Sequence, residues 1–361
     1  MKTSFIHIRT LLAALACLSC VKAQITEPEA LKEETPTVPV TFRIGGSALP
    51  GTKMTGVTDA YENSLEHWNC YVCAGNLEEA VDDGIGHSSL HFLSTDGNHA
   101  VCNLPVGRYT AFVIANENGY DYYEDADFIY DGIIYDGVSF DMFSPSSIYM
   151  TGYREFTVSA DTRNVVTVHV QRIVGKIQLQ RISVDFEDAS YRTREVILRN
   201  IFLTNVTNWS QYFDFMEQNY GFYNMQGLRV RADSVTDAFV CDLDIGHTLQ
   251  SAGGASRTAM TTPHVFYAFE NQTPADEDSR DEIWCRRCTR LVVELLIDGT
   301  THYYSVTIPE LRRNFCYNIA QMTITGPGSA DPERDVPNSV EVTFSPAYDG
   351  WDSIFTIHEE S

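Results

Sequence analysis

Two pairs of cysteines have a spacing that could bind a metal ion. Cys70 and Cys73 are separated by two residues, as are Cys285 and Cys288, and a split zinc ribbon combines two such pairs into a closed tetrahedral set of thiolates. Both pairs fall within predicted strands, where residues three apart point to opposite faces, so neither pair easily presents both sulfurs. The seven cysteines beyond the leader could therefore bind zinc, form isolated disulfides or remain buried free thiols, and buried thiols are favoured.

Three histidines lie close together in the sequence, at His87, His91 and His99. Four residues of strand would separate the first two by about 13 Å, which is too far for one ion. Glycines at positions 84 and 86 disfavour a helix there. We therefore predict no metal site, and histidines that are solvated or lie at the rim of a sheet.

Other chemistry is not indicated. The Tyr- and Asp-rich segment 119–141 carries carboxylates that could hold calcium, but its spacing matches no calcium loop, and a solvated loop with aromatic anchors is favoured. The sequence contains no Gly-x-Ser-x-Gly, no phosphate-binding glycine loop and no His-Glu-x-x-His. We predict neither enzymatic activity nor a cofactor.

The N-terminus reads as an export signal over residues 1–23, with basic residues before a short apolar run. Cys20 or Cys17 resembles the lipidated cysteine of a bacterial lipobox, while cleavage after Ala23 is the alternative. Residues 24–37 are acidic and nearly free of large apolar side chains, so they are predicted to be a solvated linker.

Composition sets wider bounds. A chain of 361 residues is long enough for two domains, and 12% aromatic residues with 20% charged residues are typical of a packed protein. The formal charge of −24 argues against nucleic acid, and against an anionic membrane surface, as partners of the folded part.

Alternation of apolar and polar residues predicts strands throughout, and therefore an all-β fold. The stretch 165–182 contains two strands with a break at Gly175, and it separates predicted β-sandwiches at 38–160 and 161–361. Arg172 and Lys176 lie between the apolar runs, so their charged heads are predicted at the rim of a sheet, where water solvates them.

Further strands are predicted on both sides of that stretch. The expected spans in the N-terminal half are 65–72, 89–93, 100–104 and 108–115, and those in the C-terminal half are 194–203, 237–243, 264–269, 290–297, 301–308, 315–324 and 340–344. A short helix or aromatic loop is expected at 212–223.

The first predicted strand follows the linker. Val38, Val40, Phe42 and Ile44 share one face, and Pro39 restricts the strand to a sheet edge or a strand start. A loop rich in Gly, Ser, Thr and Pro follows, and a trypsin-like protease could cut it at Lys53.

Several fragments resemble, in order, those of the Bacteroidales fimbrillins, the subunits of type V pili. They are 61–63, 113–116, 150–152, 172–177, 203–206, 266–271 and 317–324, followed by Gly328 and 331–332. The resemblance spans about residues 38 to 351. It implies two tandem transthyretin-like Greek-key sandwiches in a structural subunit of a surface fimbria, with other fimbrial subunits as partners and an outer-membrane lipoprotein as precursor.

The resemblance also implies assembly by strand exchange. Stalk subunits of that family lose their first strand to an arginine-specific protease, but the loop here contains no arginine, which leaves room for an anchor subunit that keeps the strand. A non-polymerising surface lipoprotein that binds glycan or protein is the alternative from another class.

The sequence contains one candidate donor for such an exchange. Val340, Val342 and Phe344 repeat the V-x-V-T-F pattern of the first strand, so they could fill its groove in a neighbour. Alternatively, this segment closes its own domain, and the donor is the terminal segment 352–358.

Overall fold

The computed structural model describes residues 36–46, 65, 67–82, 91–95, 99–116, 137–139, 148–207, 209–213, 241–276, 287–308, 310–334, 338–345 and 352–353. Cys17, Cys20, Lys53, His87 and Cys285 lie outside these ranges. From Thr37 onward the described residues form one compact unit. Within them, no helix is long and apolar enough to cross a membrane.

The described elements are almost all strands, which confirms the predicted all-β class. One short helix, α1, covers Leu77–Asp82, and the strands are β1 (Thr37–Gly46), β2 (Trp68–Ala74), β3 (His91–Thr95), β4 (His99–Pro105), β5 (Gly107–Ala115), β6 (Gly137–Ser139), β7 (Met150–Val158), β8 (Asn164–Arg172), β9 (Val174–Leu179), β10 (Ile182–Val184), β11 (Val196–Thr204), β12 (Trp209–Gln211), β13 (Cys241–Asp242), β14 (His247–Gln250), β15 (His264–Phe269), β16 (Thr289–Ile297), β17 (Thr300–Ile308), β18 (Phe315–Ile324), β19 (Val340–Ser345) and β20 (Asp352–Ser353).

The first sandwich has two layers. One layer has the strand order β3-β2-β5-β7 and the other the order β8-β1-β4, and a short β7–β8 pairing at Met150 and Thr151 joins them at one corner. Alternate residues of these strands point inward, so Val40, Phe42 and Trp68 meet in one apolar core.

The second sandwich packs two sheets against each other. The first sheet has the strand order β10-β18-β9-β15, and β19 and β20 also pair with β18. The second has the order β13-β11-β16-β17, and β14 also pairs with β11. Its core continues beyond the sandwich, because Phe112 and Ile114 on the outer face of β5 belong to the same apolar cluster. Phe112 meets Phe213 edge to face, with ring centroids 5.4 Å apart. The two sandwiches therefore share buried apolar contacts.

The chain passes from one sandwich to the other at Ile173. β8 pairs with β1 and β7 of the first sandwich, whereas β9 pairs with β15 and β18 of the second. The change of sheet thus falls after Arg172, later in the chain than the domain boundary expected at residues 160 and 161. Gly175 does not break the chain either, since it lies inside β9.

The rim position predicted for Arg172 and Lys176 is wrong. Arg172 is only 1% exposed, and its guanidinium Nη1 donates to Oδ1 of Asn314 at 2.8 Å. Arg172 continues the alternation of β8, whose even-numbered residues are buried, so the pleat directs it inward. Lys176, 4% exposed, lies on a strand with neighbours on both sides.

Buried asparagines in the left-handed backbone region end several elements. Asn116 (φ 63°) and Asn205 (φ 56°) follow β5 and β11, and both are fully buried. Asn116 donates to the carbonyl of Ile148 at 2.9 Å, and Asn205 to that of Cys288 at 3.2 Å. Asparagine tolerates this backbone conformation and can bond locally, which gives two of the fimbrillin-like fragments a structural reason.

The two sulfurs of the first cysteine pair face different cores. Cys70 faces the first core, while Cys73 faces the second, as expected for residues three apart on one strand. Cys288 is buried, and its thiol donates to the carbonyl of Thr273 at 3.3 Å. Cys70, Cys73, Cys102 and Cys288 are free thiols, and the described ranges contain no group of three or more potential ligands for a metal ion.

The close packing at Gly152 leads to a prediction about the effect of a substitution there on stability. An alanine there would place its Cβ 2.0 Å from the carbonyl oxygen of His169, because β7 and β8 approach closely. We expect Gly152→Ala to lower the free energy of unfolding by about 3 kcal/mol or more, measured by urea denaturation. Gly107→Ala is the control, since its nearest contact is 3.4 Å, and a change below about 1 kcal/mol is expected. Equal effects of the two substitutions would contradict this account of the β7–β8 joint.

Thiol reactivity provides a second test. Burial raises the pKa of Cys73 to about 12 and that of Cys102 to about 11, and it raises the pKa of Cys70 as well. Because the thiolate is the reactive form, we expect iodoacetamide at pH 8 to modify these cysteines roughly a hundredfold more slowly in the folded chain than in guanidinium. Peptide mass spectrometry measures the rates. Rapid labelling of Cys73 in the folded chain, or labelling that first requires a reductant or chelator, would contradict buried free thiols.

Candidate strand-exchange site

β1 lies in the interior of its sheet. It pairs antiparallel with β4 from Thr37 to Arg43, and parallel with β8 from Val40 to Gly46. Pro39, which has no amide hydrogen to donate, is the third residue of β1 and precedes the part of the strand that pairs with β8. Removal of β1 would leave a groove with β8 as one wall and β4 as the other.

The apolar face of β1 fills this groove. Val40 and Phe42 are 0% exposed, and Val38 and Ile44 pack against the same core from its two ends. Phe42 meets Phe156 of β7 edge to face at 5.5 Å between ring centroids. The face predicted from alternation is therefore confirmed as a core face.

β4 depends on β1 for its place in the sheet. Among the described strands, β1 is the only one that hydrogen-bonds to β4 in a ladder. Ala100, Cys102 and Leu104 of β4 contribute to the first core beside the β1 side chains. Loss of β1 would thus leave β4 without its ladder partner and open the core along a complete strand.

The two candidate cleavage points differ in how the structure describes their accessibility to a protease. Lys53, the predicted maturation site, lies outside the described residues. Arg43, the nearest arginine in the sequence, is exposed at its side chain but pairs with His99 on β4 and with Thr167 on β8. A protease must hold several residues of extended substrate, so cleavage at Arg43 would first require β1 to leave both neighbours.

The candidate donor lies in its own domain. β19 pairs antiparallel with β18 along the edge of the second sandwich, with a register shift between Ile319 and Gln321. Val340, Val342 and Phe344 are half-buried against the second core. In this structure the V-x-V-T-F segment of β19 therefore closes its own domain, as the alternative interpretation of the sequence expects.

The two V-x-V-T-F segments differ in how much they bury. Val40 and Phe42 are completely enclosed, whereas Val342 and Phe344 remain half-exposed on an edge strand. Pro39 and Glu341, at the same position of the pattern, are both exposed. The segment of β19 would therefore gain apolar burial in the β1 groove without burying its glutamate.

The terminal alternative is described only at its start. β20 pairs parallel with β18 at Phe315 and Cys316, beside the end of β19. The rest of the predicted terminal donor, residues 354–358, lies outside the described residues.

The structure describes only part of the histidine cluster and of the segment 119–141. His99 is exposed at the start of β4, and the side chain of His91 is not among those described. In the segment 119–141, Gly137–Ser139 forms β6, which pairs with β12 at Trp209–Gln211. The end of the predicted loop is thus a strand that contacts the second half of the chain.

Sequence reasoning missed the features that close the groove. β7, which carries Phe156 and a run of charged residues, was not predicted, because Arg154 and Glu155 interrupt the apolar alternation. Tyr109 also went unnoticed, although its ring stacks on Phe156 at 5.7 Å and its hydroxyl donates to the carbonyl of Pro105 at 3.0 Å. In the sequence, the only feature that could have indicated this contact is the spacing of four residues between Tyr109 and Pro105, the proline that ends β4.

Comparison with known proteins supports the fold. Neither a scan of protein-family models nor a search of curated proteins gave a match. Among solved structures, a candidate cell adhesion protein from Bacteroides eggerthii matches with TM-score 0.56 and 16% identity over 86% of this chain and 95% of that chain. Two from Parabacteroides distasonis match with TM-scores of 0.54 and 0.50, at 13% and 16% identity over 86% and 89% of this chain and 98% of each of theirs.

These identities are low, so the matches establish architecture. They cover nearly the complete length of each solved protein, and they agree with the predicted all-β sandwich fold. The chain thus shares the fold of these three solved proteins.

Proposed function

We propose that this protein is a structural subunit of a cell-surface fimbria that joins to its neighbours by β-strand exchange and supports adhesion. The observation that carries this proposal is the position of β1, an N-terminal strand that completes the first sandwich from within a sheet. A strand of this kind can be replaced by an equivalent strand from another copy, because main-chain hydrogen bonds supply affinity and side-chain pockets supply register.

The energetics favour a durable joint. Complete burial of Val40 and Phe42 contributes about 1.5 to 3 kcal/mol for each side chain. Each net ladder hydrogen bond adds about 1 kcal/mol, and β1 has ladder partners on both sides. A vacant groove would expose this apolar surface and a strand edge, so it would recruit a replacement strand.

β19 is the donor that we favour. Its apolar residues would become more buried in the groove than on β18, and an edge strand leaves its sheet by breaking one ladder instead of two. The terminal segment 352–358 is the second candidate, because β20 extends the same edge of β18.

The position of the subunit within the fimbria depends on maturation. Cleavage at Lys53 would release β1 and produce a stalk subunit. Retention of β1 would instead produce an anchor subunit, which can donate a strand but cannot accept one.

Export as a lipoprotein through Cys20 or Cys17 would place the precursor in the outer membrane, with other fimbrial subunits as partners.

A surface lipoprotein that does not polymerise but binds glycan or protein is the second candidate function, and it needs no removable strand.

Peptide complementation tests the exchange. We expect a chain that begins at residue 54 to be less stable than one that begins at residue 24, since β4 loses its ladder partner. A peptide of residues 37–46 should bind the shortened chain and restore its cooperative unfolding, and a peptide of residues 339–346 should bind as well. Fluorescence anisotropy measures the affinities, and circular dichroism measures the melting temperatures.

The matched control peptides carry Val40→Asp with Phe42→Asp, or Val342→Asp with Phe344→Asp. We expect each pair of substitutions to weaken binding by a hundredfold or more, which corresponds to about 2.8 kcal/mol. Binding of a 352–361 peptide in place of the 339–346 peptide would assign the donor to the terminal segment. If none of the three peptides binds the shortened chain, strand exchange is wrong for this protein.

Labelling with a palmitate analogue tests the route of export. We expect label on the wild-type precursor in the outer membrane, and loss of label when Cys20 is replaced by serine or, if the exit is earlier, when Cys17 is replaced. The double variant serves as the reference for unlabelled protein. An unlabelled wild-type chain that begins after Ala23 would contradict lipidation and support ordinary signal cleavage.

A further inference from the structure

A cleft of about 690 Å³ lies between the two sandwiches, and none of the residues that line it belongs to β1 or β19. Its walls come from β7, from the end of β8, and from the turns that follow β12 and β15 and precede β18. A volume of this size fits a small ligand, and junctions between domains are frequent places for such sites.

Charge distinguishes this cleft from the rest of the molecule. Three arginines, Arg172, Arg312 and Arg313, line it together with one glutamate, Glu270, in a chain whose formal charge is −24. A concave site that concentrates positive charge in an acidic protein attracts anions selectively.

Arg313 is fixed and therefore serves as part of the wall. Its guanidinium donates to Glu270 at 3.1 Å, to the carbonyls of Tyr212 and Gln211 at 3.1 and 2.7 Å, and to Ser210 Oγ at 3.1 Å. Arg313 and Glu270 therefore offset each other's charge.

Arg312 is the arginine that can reach a ligand. Its side chain is 39% exposed, and it pairs with Glu310, which is 45% exposed, at 2.7 Å. An ion pair between two such exposed groups contributes little to stability, so the guanidinium can change partner at little cost. The planar guanidinium matches a carboxylate with two parallel hydrogen bonds.

The remaining wall is suited to a sugar. Tyr153 is 46% exposed and packs near Phe112, with ring centroids 6.3 Å apart, so it presents a supported aromatic surface. Gln171 and Gln272 are exposed and also line the cleft, and a side-chain amide can both donate to and accept from a hydroxyl. An aromatic surface beside amides can bind the apolar face and the hydroxyls of a pyranose.

The backbone of the cleft is rigid. At Gly152 no side chain fits against the carbonyl of His169, and at Gly175 a Cβ would lie 2.8 Å from the carbonyl oxygen of Arg312. Thr151 Oγ1 donates to the carbonyl of Tyr212 at 2.7 Å, which ties the first sandwich to the turn that Arg313 holds. The backbone that carries the groups facing a ligand is therefore closely packed before the ligand binds.

We propose that this cleft binds a carboxylate-bearing saccharide, with Arg312 paired to the carboxylate, Tyr153 against the sugar ring, and Gln171 and Gln272 bonded to hydroxyls. This ligand would add a recognition function to the proposed surface subunit. The inference does not depend on strand exchange, because none of the cleft residues lies in β1 or β19.

Titration calorimetry on the monomeric chain from residue 24 tests the proposal with two acidic sugars from different sources, sialyllactose and a hyaluronan tetrasaccharide. Lactose is the uncharged counterpart of the first, and acetate supplies a carboxylate without a sugar. We expect at least one acidic sugar to bind saturably, roughly tenfold or more tightly than lactose and acetate, with an affinity that falls as salt increases.

Variants locate the binding site. Arg312→Gln should weaken the interaction roughly tenfold or more, and Tyr153→Ala and Gln272→Ala should weaken it as well. Arg194→Gln is the matched control, because Arg194 is 37% exposed and paired with one carboxylate, that of Asp298, outside the cleft. Melting temperatures of all the variants show that they are folded.

The proposal is overturned if neither acidic sugar binds, if lactose or acetate binds equally well, or if Arg312→Gln and Arg194→Gln have the same affinity as the wild type. Because a monomeric chain is measured, such a failure would leave strand exchange untouched. Conversely, a failure of peptide complementation would not affect sugar binding.

Discussion

The burial of the Arg172 guanidinium is the constraint on which the joint between the two sandwiches depends. A buried charge is costly unless hydrogen bonds or an opposite charge compensate it, and one acceptor, Asn314 Oδ1, comes from 142 residues further along the chain. The turn that presents Asn314 also carries Arg312 and Arg313, and Arg313 binds the carbonyls that follow β12. One charge at the end of β8 therefore fixes the turn that completes the wall between the domains.

Close backbone packing reinforces the same joint. Gly152 and Gly175 lie where the neighbouring backbone leaves no room for a side chain, at the β7–β8 contact and beneath the turn at Arg312. The fimbrillin-like fragments at 150–152 and 172–177 coincide with these positions. Their resemblance thus has a physical basis, since the fold admits few other residues there.

Much of the architecture could be predicted from alternation alone, because the even-numbered valines of β8 and β1 share a period of two with the pleat. Continued by one more residue pair, this period of two predicts that the side chain of Arg172 points inward. The prediction of a rim position instead came from the cost of burying a charge. Partners distant in sequence, such as Asn314, cannot be seen from a local pattern. The groove of β1 could be anticipated, whereas the cleft beside Arg312 depends on turns that only the tertiary structure brings together.

The two-sided pairing of β1 has a mechanical consequence. A strand that occupies this groove is bonded to β4 and β8 along its length, so a force along the strand axis loads both ladders in shear. All of those hydrogen bonds must then fail nearly together, whereas an edge strand such as β19, bonded on one side, can peel away one bond at a time. A fibre held by strands in β1 grooves would resist tension from flowing liquid, while each donor could still leave its own subunit easily before assembly.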